Sequence, residues 1–475
     1  MRFTQQVSPA MTDFIIKQLK YDLSSHAGLA FVGKYLTRTN MASLIDPAFP
    51  VRSGIPNSDI LKSYLGLLCL GKNDFDAIEA FRGDAFFTRS LGLRAVPSSP
   101  TLRQRMDTHA KSWFELVSSL NQTLLSSRIN GAPIDFGVLP CGYTAIDLDT
   151  FAMDNGDTSK EGIGRTYTGV DGYCPIAAYL GSLGYCLELA LRPGVQHSAN
   201  ETQYDLQRVL PMAASLVSTP LLVRADSGFC SVKLFQEMQT QSVALNREIA
   251  FIVKWNPRNT PVETIAQSKT ADESTPWLHL RRGKRECIWT EILELEGVGC
   301  EGAQATQTEP AKPARLARRV YRLTERTIDK HGNTLLLPQN ILEGWTTTLP
   351  DSFDAQAVID LYCDHATHEQ FHSEFKSDMD LERLPSGKFD TNYLVCQLAA
   401  VAMNLLRLIG QYTLNHKDSP VRHKAKRRRI KTVLQEMMYK AARMIHHAGR
   451  WVLGLGANDG GFAVFDRHYG QLRTA

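Results

Sequence analysis

The stretch Tyr143-Thr144-Ala145-Ile146-Asp147-Leu148-Asp149-Thr150 decides how this chain is read. As an extended strand it points Ile146 and Leu148 to one face and Asp147 and Asp149 to the other, and it runs out in acid where a strand leaves its sheet. Downstream, residues 172–180 and 185–192 flank the turn Gly181-Ser182-Leu183-Gly184 and read as a hairpin. A helical stretch over about 202–218 follows. Then comes Pro220-Leu221-Leu222-Val223-Arg224-Ala225-Asp226-Ser227-Gly228, a second apolar strand ending in aspartate, with Ser227 placed to cap a helix after it.

The order is strand, strand, strand, helix, strand, with an acid on the first strand and another just after the fourth. This is the order of a ribonuclease-H-like α/β core. A third carboxylate stands far downstream, where Tyr362, His365, Glu369, His372 and Lys376 fall at offsets that bring all five to one face of a helix spanning about 354–384. Asp and Glu are the side chains a hard divalent cation prefers. Two magnesium ions about 4 Å apart can stabilise both the attacking and the leaving oxygen of a phosphodiester displacement, and manganese can substitute. On this reading Asp149, Asp226 and Glu369 are the catalytic metal ligands. Asp149 is preferred over Asp147 because it lies nearest the strand end, with Asp147 kept as the alternative first acid. Tyr362, His365 and Lys376, on the Glu369 face, suit phosphate and base contacts.

The same helix matches a rival pattern. His368-Glu369-Gln370-Phe371-His372 fits H-E-x-x-H, in which two histidines one turn apart bind zinc and the glutamate acts as general base. A zinc peptidase needs a third ligand, yet no acidic residue or histidine occurs from Thr391 to Leu414. Asp378, Glu382 and Asp390 are the nearby third-ligand candidates. Asp147-Leu148-Asp149 also fits the weak D-x-D of sugar-nucleotide transferases.

Composition is that of an ordinary globular chain, 43% hydrophobic and 21% charged over 475 residues, which argues against a disordered or fibrous protein. The 9 cysteines include no C-x-x-C pair, so neither a zinc ribbon nor a disulfide framework is indicated, and reduced thiols of a bacterial cytosol are expected. No signal-peptide core precedes the first helices. The longest uncharged apolar stretch, 393–406, is too short for a membrane span and reads as a buried helix. Charge is unevenly spread. Residues 421–450 hold ten Lys or Arg against Glu436 alone, a local +9 in a chain whose net charge is +4. A polyanion is the natural partner of such a segment, and Lys424, Lys426, Arg427, Arg428 and Arg429 are its candidate DNA contacts.

Five regions follow from these patterns. Residues 1–135 form a helical N-terminal DNA-binding region, in which Val96-Pro97-Ser98-Ser99-Pro100 starts a helix whose N-terminus, with Arg103 and Arg105, suits phosphate. Residues 136–249 form the first part of the core. A β-rich insertion occupies 250–349, 350–415 supplies the final core helices, and 416–475 is a basic helical segment.

These residues together resemble the DDE transposases of bacterial insertion sequences, most closely the insertion-sequence 1380 group. That family carries a Tyr-x2-Arg-x3-Glu-x6-Lys helix. Here the spacing is kept as Tyr362, His365, Glu369 and Lys376, with histidine in place of the arginine. Asp149-Thr150 through Asp154-Asn155 and Glu161-Gly162, the run from Leu191-Arg192-Pro193-Gly194 to His197-Ser198, Arg224-x-Asp226-Ser227-Gly228 and Val96–Leu102 are also similar to that group. The resemblance implies a ribonuclease-H-like core with a β insertion after the second aspartate, binding to terminal inverted repeats and target DNA, and cut-and-paste transposition by a homo-oligomer. Water would cleave an element end to release a 3′-hydroxyl, which would attack target DNA in the same site. An inactive or repurposed DNA-binding relative is the alternative.

Overall fold

A computed structural model of the protein describes residues 16–18, 20–295, 315–364 and 368–474. Five consecutive strands at one end of a nine-stranded sheet position the candidate site. They are β1 (Thr144–Thr150), β2 (Ile176–Leu180), β3 (Tyr185–Ala190), β4 (Leu221–Ala225) and β5 (Ile249–Trp255), lying side by side in the order β3-β2-β1-β4-β5. Strands β1, β2 and β3 pair antiparallel, and β2 and β3 are joined by the tight turn at Gly181 and Gly184, both at positive φ. Strand β4 runs parallel to β1, and β5 parallel to β4. A parallel neighbour needs a crossover, which the helices α1 (Thr202–Leu216) and α2 (Val232–Ala244) supply. The second aspartate, not Ser227, caps the short turn after β4, and α2 starts only after Ser231.

The hairpin is shorter than its sequence pattern. Asp171–Tyr173 leaves the main sheet and pairs with Met153–Asp154 and Gly164–Arg165 in a small three-stranded sheet of its own. The segment expected as an insertion extends the central sheet on the far side of β5. Strands β6 (Leu278–Arg281), β7 (Lys284–Leu295), β8 (Arg315–Ile328) and β9 (Thr334–Thr347) continue it antiparallel, with β9 against β5. Thus β5, counted with the insertion by composition, is a core strand.

Alternation along the strands divides the apolar side chains between two faces. Ile146, Leu148, Val223, Ala225, Phe251 and Val253 join a large core with α1, α2 and the N-terminal helices, whereas Ala145, Leu222, Ala250 and Ile252 pack under Val358 and Ile359 of α3 (Ala355–Cys363). The expected continuous helix over 354–384 is broken into α3, a separate helix α4 (His368–Ser373) and a π-helical turn Glu374–Asp378.

The apolar run 393–406 lies in α5 (Phe389–Thr413), a helix long and apolar enough to cross a membrane but with 89% of its most hydrophobic window buried in the protein. It packs on the helix Ser99–Leu125, whose buried Leu102, Met106, Trp113, Val117, Leu120 and Leu124 recur at helical spacing. Where the two helices meet β3, a bulge in the β2–β3 ladder leaves backbone groups to satisfy. Asn404 accepts the Cys186 N–H at 2.8 Å and donates to its carbonyl at 2.7 Å, and Asn121 donates to the Cys186 and Leu187 carbonyls.

Two expectations at the chain's ends are corrected. The N-terminus of Ser99–Leu125 meets the protein's own acids: Glu79 accepts the Ser99 N–H at 2.7 Å, Asp76 accepts the Ser99 hydroxyl, and Arg105 donates to Asn57 at 2.7 Å. A phosphate would have to displace them. Residues 416–475 are only partly helical, since β10 (Ala442–His447) and β11 (Arg450–Leu455) form a hairpin that pairs with Leu23–Ser24 near the start of the chain.

Candidate active site

Strand register brings the first two acids together. Leu148 on β1 is the partner of Ala225 on β4, so the next residues, Asp149 and Asp226, emerge from the same end of two adjacent parallel strands. Neighbouring strands lie about 4.8 Å apart, so the two carboxylates share one mouth of the sheet. Each is oriented by a backbone donor: Asp149 Oδ1 accepts the Thr150 N–H at 2.7 Å, and Asp226 Oδ1 accepts the Gly228 N–H at 2.9 Å. A Cβ on Gly228 would come within 3.0 Å of that Asp226 oxygen and of Ser198 Oγ, which accounts for glycine there.

Two tyrosines register the charge of this pair. The Tyr167 hydroxyl donates to the Thr150 carbonyl at 3.3 Å, and burial together with the Asp149 and Asp226 carboxylates pushes the phenol up to about 12. Tyr362, at the end of α3, is driven up by burial and then by the same two aspartates.

Asp147 has a different occupation. It is the direct cross-strand partner of Arg224, and both residues are 2% exposed. Arg224 Nε and Nη2 donate to the two Asp147 oxygens at 2.7 and 2.8 Å, while Nη1 donates to the Leu361 carbonyl at 2.8 Å. One guanidinium thus joins β1, β4 and the end of α3 that carries Tyr362. This buried pair gives Asp147 a structural role one turn of the pleat below Asp149.

The helix α4 brings His372 to the aspartates. Its ring stacks on Phe151 with centroids 4.4 Å apart, and its Nδ1 lies 3.8 Å from Asp149 Oδ2. Glu369, one turn earlier, is exposed. Among the described residues no three His, Cys, Asp or Glu side chains form a group able to hold a metal ion, so Glu369 is not drawn in beside Asp149 and Asp226. The donor chemistry of the two aspartates fits a divalent cation, and Glu369 lies on the neighbouring helix α4. The zinc pattern fares less well on its third ligand: Asp378 pairs with Arg429 at 2.8 Å, Glu382 with Lys376 at 2.9 Å and Asp390 with Lys111 at 3.3 Å.

The other candidates divide. Lys376 donates to the Ala152 carbonyl at 2.8 Å as well as pairing with Glu382, so it ties the turn after α4 to the loop after β1. His365 lies outside the described residues. The 154–162 motif holds the same two parts together, through functions that sequence reading left unassigned. Asp154 donates its N–H to Glu382, Asn155 bridges Glu382 and Leu384, and Glu161 accepts the Phe389 N–H at 2.9 Å. Arg192 of the 191–198 run is buried against Asp205 and donates to the Ser198 carbonyl, which sets Ser198 beside Thr150 at 2.9 Å.

In the basic segment, Arg422, Lys424, Lys426 and Lys431 are exposed. The three arginines between them are engaged with the protein's own groups, Arg427 and Arg428 turned inward and Arg429 half exposed. Arg427 pairs with Glu374, Arg428 is 7% exposed and donates to the Leu414 carbonyl at 3.1 Å, and Arg429 pairs with Asp378. Sequence spacing does not distinguish them from their neighbours because 421–429 has no regular period; only the acids across from them do.

No curated protein matches this sequence. Among solved structures, a piggyBac transposase in a synaptic complex with hairpin DNA aligns over 95% of this chain and 82% of its own, with 11% sequence identity and a TM-score of 0.41. The family model described as transposase DDE domain group 1 matches residues 21–474. With nearly its whole length matched, the chain belongs to the DDE transposase domain group 1 family.

Proposed function

We propose that the protein carries out cut-and-paste transposition of an insertion sequence, most like those of the 1380 group, with Asp149, Asp226 and Glu369 as its catalytic carboxylates on a ribonuclease-H-like core. Membership of the family makes the chain a transposase, an enzyme of polynucleotidyl transfer. The observation that carries the finer reading is the emergence of Asp149 and Asp226 from adjacent parallel strands in a sheet of order β3-β2-β1-β4-β5.

Asp149 and Asp226, with Glu369, would hold divalent ions, magnesium or manganese, which when bound supply charge stabilisation to the attacking and leaving oxygens. The protein's part is to orient the two acids. Backbone N–H donors do this for each aspartate, and His372 braces Asp149 from α4. The buried pairing of Asp147 with Arg224 supports reading Asp149 as the first ligand. In the reaction, water attacks phosphorus at an element end and the P–O3′ bond breaks to leave a 3′-hydroxyl. That hydroxyl then attacks a target phosphodiester, forming a new P–O bond as the target's P–O3′ bond breaks and its 3′-hydroxyl leaves. The exposed Arg422, Lys424, Lys426 and Lys431 are suited to hold backbone phosphates, and a homo-oligomer on terminal repeats completes the reading.

The test is a nicking and strand-transfer assay on duplexes carrying the element's own ends. Asp149→Asn, Asp226→Asn and Glu369→Gln should each abolish cleavage while retaining DNA binding. Full cleavage by any one of the three would remove that residue from the site.

A further inference from the structure

The basic segment and the helix that carries Glu369 are one mechanical unit. Glu374, on the π turn that continues α4, is fully buried and receives two guanidiniums: Arg407 Nη2 lies 2.6 Å from its Oε2, and Arg427 pairs with its Oε1. Arg427 also donates to Gln370 Oε1 at 3.1 Å and stacks over Phe371, with its guanidinium 4.6 Å from the ring centre. These are the two residues immediately after Glu369. Two positions on, Arg429 forks onto both oxygens of Asp378 at 2.8 and 3.0 Å and donates to Ser373 Oγ at 2.9 Å. The backbone joins in, since the Ile430 N–H reaches Glu374 and the Lys431 N–H reaches Asp378. Every turn from Gln370 to Asp378 is therefore held by residues 427–431. On the outer side of the same short stretch, Lys424 and Lys426 are exposed.

We infer that Arg427 and Arg429 are positioning residues: they clamp α4 and its π turn and so set where Glu369 stands, while Lys424 and Lys426 carry the DNA contact. DNA phosphate bound at 424–426 is then one to three residues from the clamp on the catalytic helix. Geometry favours this over five equivalent phosphate ligands, because a fork held on a buried carboxylate is not available to phosphate without leaving that carboxylate uncompensated. The inference rests on reading Glu369 as the third carboxylate.

The experiment compares Arg427→Lys, Arg429→Gln and the double variant Lys424→Gln/Lys426→Gln in the full-length protein. Affinity for a random-sequence duplex of about 40 base pairs is measured across salt, amide exchange is followed over 368–378, and cleavage is measured on element ends. Lysine keeps the charge a phosphate needs but loses the fork, so Arg427→Lys should leave the log–log salt slope unchanged, speed exchange over 368–378 at least tenfold and lower cleavage at least tenfold. Arg429→Gln, whose side chain is half exposed and whose loss is milder for folding, should show the same pattern. The lysine double variant should flatten the slope by roughly two units with exchange over 368–378 unchanged. A flattened slope in Arg429→Gln, or unchanged exchange over 368–378 in both arginine variants, overturns the clamp. Absence of cleavage by the parent protein strikes the transposition reading instead, and the slope and exchange results still decide the clamp.

Discussion

Removing Arg224 should damage this protein more than its distance from the reaction suggests. Arg224 and Asp147 are each 2% exposed and joined by two hydrogen bonds of 2.7 and 2.8 Å across adjacent parallel strands. Arg224→Met leaves a carboxylate buried without its partner, and such a break costs about 3–5 kcal/mol. Asp147→Leu strands the guanidinium and should cost a similar amount. Replacing both at once removes both charges, and buried ion pairs exchanged for apolar residues are often neutral or even stabilising by about 1–4 kcal/mol. Arg224 also donates to Leu361, so the double variant loses that bond, roughly 1 kcal/mol. The double variant should then lie within about 2 kcal/mol of the parent, against a sum of about 6–10 kcal/mol for independent sites. A double-mutant cycle in urea unfolding measures this. Additive losses would refute the account of the pair. So would an Asp147→Asn protein of parental stability that cannot cleave DNA, because that outcome would make Asp147 the ligand and Asp149 the bystander.

Burial alone would raise the Glu374 carboxyl, but Arg407 and Arg427 outweigh it and hold the group below its usual range. A carboxylate depressed in the folded state contributes stability that is complete above its unfolded value of about 4.3 and is lost as pH falls through the folded value. Stability of the parent should therefore drop below about pH 4 more steeply than that of Glu374→Gln, and parallel curves would show that the pair carries no linkage. The histidines of the H-E-x-x-H stretch should differ: His372→Ala, which removes the ring stacked on Phe151 beside Asp149, should cost cleavage at least tenfold, about 1.4 kcal/mol of transition-state stabilisation. His368→Ala should stay within about tenfold of the parent; one zinc per chain, released by His368→Ala together with a peptidase activity, would make the helix a zinc site.

What the sequence determined by itself is what short-range periodicity encodes. Alternation along 144–150 placed two aspartates opposite two core residues, and the order of strands and helix put one acid on the first strand and another just after the fourth, while the parallel pairing of β1 with β4 belongs to the tertiary structure. Thus Asp149 and Asp226 were legible as a pair before any coordinates. The sequence favoured Asp149 over Asp147 by its place at the strand end, but both share a face, and only the cross-strand register sets Arg224 against Asp147. The helix of Glu369 was legible as amphipathic, but not its interruption, because a π turn is stabilised by what it packs on and here by Arg407, Arg427 and Arg429 from segments more than thirty residues away. The same separation explains why the partners of the basic run were not legible: charge density is local and visible in the chain, whereas the direction of Arg427 and Arg429 is fixed by acids that only the tertiary structure brings alongside.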